Sequence, residues 1–231
     1  MASVNTLSID IGGSKIKAST LSKTGKIINE YTKVETPQPA TPENVINAIK
    51  TLTKGFKFDR ISVGFPGYVR DNIVHTAPNL GTKSWAGVNL AEELMMVLKK
   101  PVRILNDADL LGLGCVSGKG FEMMVTLGTG FGTAFYLDGK VLPHLEIAHF
   151  PVKKGVDYDA YIGEARFNKI GKKRWNKRMK CVLSTIKTVF NYDRLYLGGG
   201  LAKKLDFDLD DNIILVENID GIDGGVKLWD Q

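Results

Sequence analysis

Apolar positions along the chain switch between a period of two and a helical period, and they do so twice in the same order. Leu7-Ser-Ile-Asp10-Ile alternates and stops at Gly12-Gly13-Ser14, which predicts a strand ending in a glycine turn. Lys15 to Leu21 alternates as a second strand, and Thr24-Gly25 turns the chain into a third over Lys26 to Val34. Thr36 to Pro42 holds three of the eight prolines and reads as a loop. Val45, Ile46, Ile49 and Leu52 have helical spacing after Pro42-Glu43, with Gly55 as the stop. Arg60 to Phe65 reads as a buried strand closed by Pro66-Gly67, Asn89 caps a helix that ends before Pro101, and Val102 to Leu105 is another apolar strand.

The second half opens in the same way. Met123 to Leu127 runs into Gly128-Thr129-Gly130, Thr133 to Leu137 follows, and Asp138-Gly139 is a hairpin signal. Residues 158–168 and Lys172 to Phe190 have helical patterns, with Trp175, Met179, Val182 and Ile186 on one face of the second. Arg194 to Leu197 ends in Gly198-Gly199-Gly200, Ile213 to Val216 is a last strand, and Gly221 to Trp229 reads as a short helix. At an offset of 116 residues Gly12 aligns with Gly128, Ala18 with Ala134 and Leu21 with Leu137, which predicts an internal duplication. The expected fold is α/β, two duplicated lobes that are each a mixed sheet with flanking helices, around a central cleft. The N-terminal lobe is set at 1–112 and the C-terminal lobe at 113–231.

Composition narrows the class without naming a chemistry. The 231 residues are 43% hydrophobic and 24% charged, ordinary values for a folded chain, so wholesale disorder is excluded. Cys115 and Cys181 cannot make a disulfide framework or a four-thiolate site, and they suggest a reducing compartment. The N-terminus has no secretory pattern and no stretch approaches 18 apolar residues, so a cytoplasmic protein without a membrane span is expected. Basic residues outnumber acidic ones 31 to 25, which suits either nucleic acid or phosphorylated small molecules.

The glycine turns favour phosphate. In Asp10-Ile-Gly12-Gly13-Ser14-Lys15 the glycines let backbone N–H groups approach an anion, and Ser14 and Lys15 add donors and charge. Asp10 fits beside a phosphate only with a cation between them, as through water on Mg²⁺. Gly128-Thr129-Gly130 repeats the arrangement at the duplicated position. Neither turn is a Walker loop, and a strand follows where a dinucleotide fold needs a helix. Asn106-Asp107 follows a buried strand, so Asp107 is either a general base or a helix cap. Glu146 and His149, three residues apart, suit sugar hydroxyls or a surface role. With only His75 and His144 besides, no zinc site is expected.

Taken in order, Asp-x-Gly-Gly-Ser-Lys, Gly-x-Pro-Gly, Pro-Asn-x…Trp, Asn-Asp-Ala, Leu-Gly-Thr-Gly-x-Gly, Glu-x-x-His and a late Gly-Gly-Gly resemble the ROK sugar kinases of the hexokinase/actin-like ATPase superfamily. The likeness covers residues 5–205 and is nearest the polyphosphate-glucokinase branch. It implies a hexokinase- or glucokinase-type phosphotransferase that moves a phosphoryl group from ATP, polyphosphate or both to a hexose, most naturally the 6-hydroxyl of glucose. By resemblance, Asp107 is the general base, and Gly67, Asn79, Asn106, Asp107, Glu146 and His149 line the sugar pocket. Gly12, Gly13, Gly128, Thr129 and Gly130 hold donor phosphates, Gly198, Gly199 and Gly200 lie beside the nucleotide, and Asp10 positions Mg²⁺ through water. A homodimer is implied, with no nucleic-acid partner and no membrane.

The chain also departs from the family pattern. Phe150 to Glu164 lacks the cysteines of the family's zinc segment, and the further sugar-binding acid expected there falls to Asp157 or Glu164. Ala148 stands where glycine is usual. Seven basic residues between Lys169 and Lys180 suit a polyanion or a solvated helix face. The family also contains sugar-sensing regulators, and a non-DNA-binding regulator of this type is the rival expectation, since nine residues before Asp10 cannot hold a helix-turn-helix.

Overall fold

The alternating runs form strands where expected, and the computed structural model orders them into two sheets of one design. It describes residues 4–217 and 223–231. The chain folds into two compact units, Met1–Gly114 with Ile222–Gln231, and Cys115–Gly221.

In the first unit the elements are β1 (Thr6–Ile11), β2 (Lys15–Leu21), β3 (Thr32–Glu35), α1 (Pro42–Leu52), β4 (Arg60–Phe65), β5 (Val69–Arg70), β6 (Ile73–Val74), α2 (Thr82–Trp85), α3 (Leu90–Leu98), β7 (Val102–Asn106) and α4 (Asp107–Cys115). The sheet order is β3-β2-β1-β4-β7. β1, β4 and β7 are parallel and β2 and β3 antiparallel, so the three parallel strands end on the same edge. Leu7, Ile9, Ile11, Ile16, Ala18, Ile61 and Val63 point to one face, fully buried, and α1 and α3 cover it with Val45, Ile49, Leu90 and Leu94. Burial of a Leu or Ile side chain contributes about 1.5–3 kcal/mol, so this layer dominates the stability of the unit. Both caps use their expected chemistry: Thr41 accepts from Asn44 N–H, and Asn89 from Glu92 N–H.

The second unit repeats the design with β8 (Phe121–Leu127), β9 (Phe131–Leu137), β10 (Lys140–Val141), β11 (Pro151–Lys153), β12 (Val156–Asp157), α5 (Tyr158–Ile162), α6 (Glu164–Phe190), β13 (Arg194–Gly198) and β14 (Ile213–Leu215). Its sheet runs β10-β9-β8-β13-β14, with the same parallel and antiparallel pairings in the same places. The duplication therefore reaches down to strand order. α6 is two helical pieces, because Gly171 breaks it with φ 75° and ψ 164°. Trp175 and Met179 are fully buried, and the Trp175 indole donates to the Ile162 carbonyl at 2.7 Å, fixing α6 to α5.

Two expectations differ. Lys26 to Val34 is a strand only from Thr32, with one isolated bridge at Ile27, because Ile27 and Ile28 are exposed and have no core to face. The tail, expected in the second lobe, belongs to the first unit, which α7 (Gly224–Lys227) and Leu228–Asp230 join. The Arg60 and Arg103 guanidiniums lie 5.1 and 4.7 Å from the ring centre of Trp229, and its indole donates to Ser62 Oγ at 2.9 Å. Arg103 donates to the Leu228 carbonyl at 2.8 Å, and Ser62 Oγ donates to the Gly225 carbonyl. The start of the predicted tail helix, at Gly221, lies outside the described residues. Among the described residues no helix is long and apolar enough to cross a membrane.

Candidate active site

In the first unit the expected residues gather where β1, β4 and β7 end, the edge at which α/β sheets take their ligands. A Cβ on Gly13 would lie 3.0 Å from the Asn79 Cβ, so the first glycine turn and Asn79 touch. At Gly67 a Cβ would overlap the Thr76 carbonyl oxygen, and only glycine lets these two segments meet. Asn106 Nδ2 donates to the Gly67 carbonyl at 3.1 Å, tying the ends of β4 and β7 together.

Asn106 and Asp107 both reach the head of α4. Asn106 Oδ1 accepts from the N–H groups of Ala108 at 2.8 Å and Asp109 at 3.4 Å, so Asn106 caps α4. Asp107 also accepts from Ala108 N–H, at 2.9 Å, and is exposed at the head of the helix. A Cβ on Gly64 would lie 3.4 Å from the Asp107 Cα, and Gly64 is Asp10's register partner. Asp10 and Asp107 therefore lie on one face of the sheet, on either side of β4.

Asp10 is not alone there. Lys17, its register partner on β2, donates to Asp10 Oδ2 at 3.0 Å. Burial, and next the Asp10 charge, push the Tyr31 hydroxyl up to about 12. Lys15, expected to serve the phosphate turn, instead pairs with Glu35 at 3.4 Å, because it faces β3 in register. Ser14 is exposed in the turn and its carbonyl accepts from Thr36 N–H. Mg²⁺ keeps several waters and takes one or two carboxylates plus substrate phosphates. A single half-exposed carboxylate already holding an ammonium fits a hydrated ion and disfavours direct ligation.

In the second unit the glycine turn after β8 closes on itself, Gly128 N–H donating to the Gly130 carbonyl at 3.1 Å. Gly199 has φ 87° and lies where a Cβ would overlap the Leu127 carbonyl. Gly198 to Gly200 are thereby stacked on the end of β8, beside Gly128 to Gly130. The Gly128 carbonyl accepts from Glu164 N–H at 2.9 Å, so α6 begins at this turn.

Glu146 precedes a one-turn 3₁₀ helix, Ile147–His149, and His149 ends it. His144 Nε2 lies 3.4 Å from Glu146 Oε1, and His149 Nδ1 lies 3.8 Å from Asp157 Oδ2. The His144 imidazole beside it holds the Glu146 carboxyl below its usual range against the opposing effect of burial. Asp157 caps α5 through Ala160 N–H, and Glu164 is exposed. Asp159, which the sequence did not single out, lies at the second glycine turn. Its Oδ1 accepts from Phe131 N–H at 2.6 Å and would touch a Gly130 Cβ at 2.8 Å. Burial raises its pKa, and Asp157 and Glu146 add to this, while Phe131 N–H and His149 oppose it. Asp159 thus links the second glycine turn to the Glu146–His149 pair.

The sign of that shift makes a prediction. A carboxylate whose folded pKa is raised loses stability as pH climbs from the unfolded toward the folded value. Asp159→Asn keeps an acceptor for Phe131 N–H and removes the charge. It should raise the melting temperature at pH 7 by about 2 °C and flatten its decline above the ordinary aspartate range. A scan against pH that finds equal slopes for variant and parent would refute this.

Two mixed sheets of one topology, each with a glycine turn after its first strand, define the actin-like ATPase fold of the sugar kinases. The chain belongs to the ROK family, whose model matches residues 6–150. Polyphosphate glucokinase of Mycobacterium tuberculosis is 35% identical over 208 residues, covering 86% of this chain and 78% of that one. The crystal structure of the inorganic polyphosphate/ATP-glucomannokinase from Arthrobacter sp. strain KM matches with TM-score 0.85 and 30% identity, over 96% of this chain and 97% of that one. A ROK glucokinase from Streptomyces griseus, solved with glucose and AMPPNP, shares the fold at TM-score 0.78 and 19% identity, over 97% and 98%. The chain is a hexokinase-type phosphotransferase, a sugar kinase.

Proposed function

We propose that the protein phosphorylates the 6-hydroxyl of glucose and takes both ATP and inorganic polyphosphate as donors. The observation that carries this reading is the 35% identity over 86% of the chain to a polyphosphate glucokinase. In the reaction, Asp107 accepts the proton of the sugar hydroxyl as its oxygen bonds to the terminal phosphorus and the bond to the leaving phosphate breaks. Asn106 Oδ1 accepts from two N–H groups of the first turn of α4, so the start of that helix does not rest on Asp107 alone. Glu146 and His149, with Asn79 and the Gly67 turn, hold the other sugar hydroxyls. Backbone N–H groups of Gly12-Gly13 and Gly128-Thr129-Gly130 stabilise charge on the transferring phosphoryl group, and Gly198 to Gly200 border the nucleotide. Asp10 would orient water on Mg²⁺, which supplies neutralisation of the donor phosphates. We infer a cytoplasmic homodimer as its setting. The test is a matrix of donors and sugars, with sugar phosphate as the readout. Product from glucose with ATP and with polyphosphate is expected, and none from either donor would refute it.

Polyphosphate use is further supported by the basic run of α6. Lys172, Lys173 and Arg174 are exposed while Trp175 and Met179 anchor the helix. Lys172 is paired with Asp206 at 3.0 Å, on the surface, where an ion pair is worth little. Changing the three to glutamate should raise KM for polyphosphate by roughly tenfold and leave ATP nearly unchanged, with the gap widening at low salt. Equal effects on both donors would remove this face from donor binding.

A further inference from the structure

Asp107 opens α4, a helix that depends on its neighbours because Gly112 and Gly114 weaken it from within. One neighbour is β4. A Cβ on Gly64 would lie 3.3 Å from the Leu110 side chain and 3.4 Å from the Asp107 Cα, so the first turn of α4 rests on that strand. The other neighbour is the C-terminal tail. A Cβ on Gly224 would stand 1.9 Å from the Leu110 carbonyl oxygen and 3.1 Å from the Gly114 nitrogen, so α7 and α4 meet backbone to backbone. Gly224 is helical, so this contact alone bars a side chain there. Further along α7, Lys227 donates to the Gly114 carbonyl at 3.0 Å and satisfies an acceptor that the end of α4 leaves open. The tail is itself fixed to the sheet. Ser62 Oγ donates to the Gly225 carbonyl, and a Cβ on Gly225 would lie 2.7 Å from Ser8 Oγ. Ser8 and Ser62 are register partners one row behind Asp10 and Gly64.

We propose that Gly224 and Lys227 are positioning residues for phosphoryl transfer. The tail clamps α4 at Leu110 and Gly114 and thereby sets where the Asp107 carboxylate stands. The proposal rests on the reading of Asp107 as the base. Leu110 lies one turn below Asp107, so a displacement at the clamp is carried to the carboxylate. A base acts only within hydrogen-bond reach of the proton it takes, and misplacement by about 1 Å can cost about a hundredfold in rate. A tail that merely covered the sheet would lower stability when disturbed and leave the turnover of the folded enzyme unchanged.

The experiment is a double-mutant cycle on kcat in the full chain, with glucose KM, donor KM and melting temperature measured on each variant. Gly224→Ala should lower kcat about tenfold and leave both KM values within about twofold. In the Asp107→Asn background the same change should lower kcat no further, because residues that act as a unit are not additive. Trp229→Phe loosens the tail away from α4 and should lower the melting temperature while leaving kcat unchanged. Should Gly224→Ala fail to fold, Lys227→Met should lower kcat about threefold, again only where Asp107 is present, and Lys227→Arg should restore it. Parent kcat in the folded tail variants, an equal loss in both backgrounds, or an equal loss in Trp229→Phe overturns the proposal alone. Parent kcat in Asp107→Asn overturns the reading of the base, and this proposal with it.

Discussion

Asp107→Asn is expected to keep its fold and its sugar and to lose turnover by about two to four orders of magnitude, the usual worth of a positioned base. The two side chains are the same shape, and the helix cap resides on Asn106, so α4 should start unchanged. Glucose binding should weaken only modestly, from loss of one charge-assisted hydrogen bond. A variant with the parent's melting temperature, intact glucose binding and the parent's kcat would remove Asp107 from the mechanism. Paired measurement of kcat and glucose affinity separates the outcomes, because a merely structural aspartate would move neither.

The second large effect is on stability. Glu122 is fully buried in the second unit and accepts from Ser117 N–H at 2.9 Å, Gly118 N–H at 2.7 Å, Lys119 N–H at 3.2 Å and Tyr196 OH at 2.8 Å. Burial alone would raise its pKa, but the hydrogen bonds from Ser117, Tyr196 and Gly118 outweigh it, and the carboxyl titrates below its usual range. Glu122→Ala strands the Gly118, Lys119 and Tyr196 donors, each costing about 1–3 kcal/mol if left unmade, while Ser117 N–H keeps the Tyr196 hydroxyl as acceptor. The expected loss is at least about 3 kcal/mol, seen as a lower urea midpoint and as faster amide exchange at 117–119. A carboxylate with a depressed folded pKa contributes stability above its unfolded value and loses it as pH falls through the folded one. The gap between parent and variant should therefore close on acidification. Unchanged exchange at 117–119 would show that the loop holds itself.

Much of this was legible because it is written locally and twice. The glycine turns, the hairpin at Asp138-Gly139 and the offset of 116 residues report strand order without any tertiary information. The break between the two helical patterns was legible too, since Gly171 interrupts them. What escaped was non-local or lacked its usual marker. The β5–β6 hairpin turns through Asp71-Asn72, with φ 52° and 65°, and carries no glycine to announce it. α4 contains Gly112 and Gly114, poor helix formers, and it forms because Ala108, Leu110 and Leu113 bury a face. Asp159 meets Phe131 across 28 residues, and Lys17 meets Asp10 only once β1 and β2 pair in register. The place of the tail escaped for the same reason, because the partners of Trp229 lie more than a hundred residues upstream.

That tail has a consequence for how the protein is made. On the ribosome the second unit is complete once residue 221 has emerged, whereas the first unit still waits for Trp229 to reach Arg60 and Arg103. The unit that begins first finishes last. For the time it takes to synthesise the intervening hundred residues, Ser8, Ser62 and the two arginines must go without their final cover, so the nascent chain holds that face of its first sheet with α4 and without the tail.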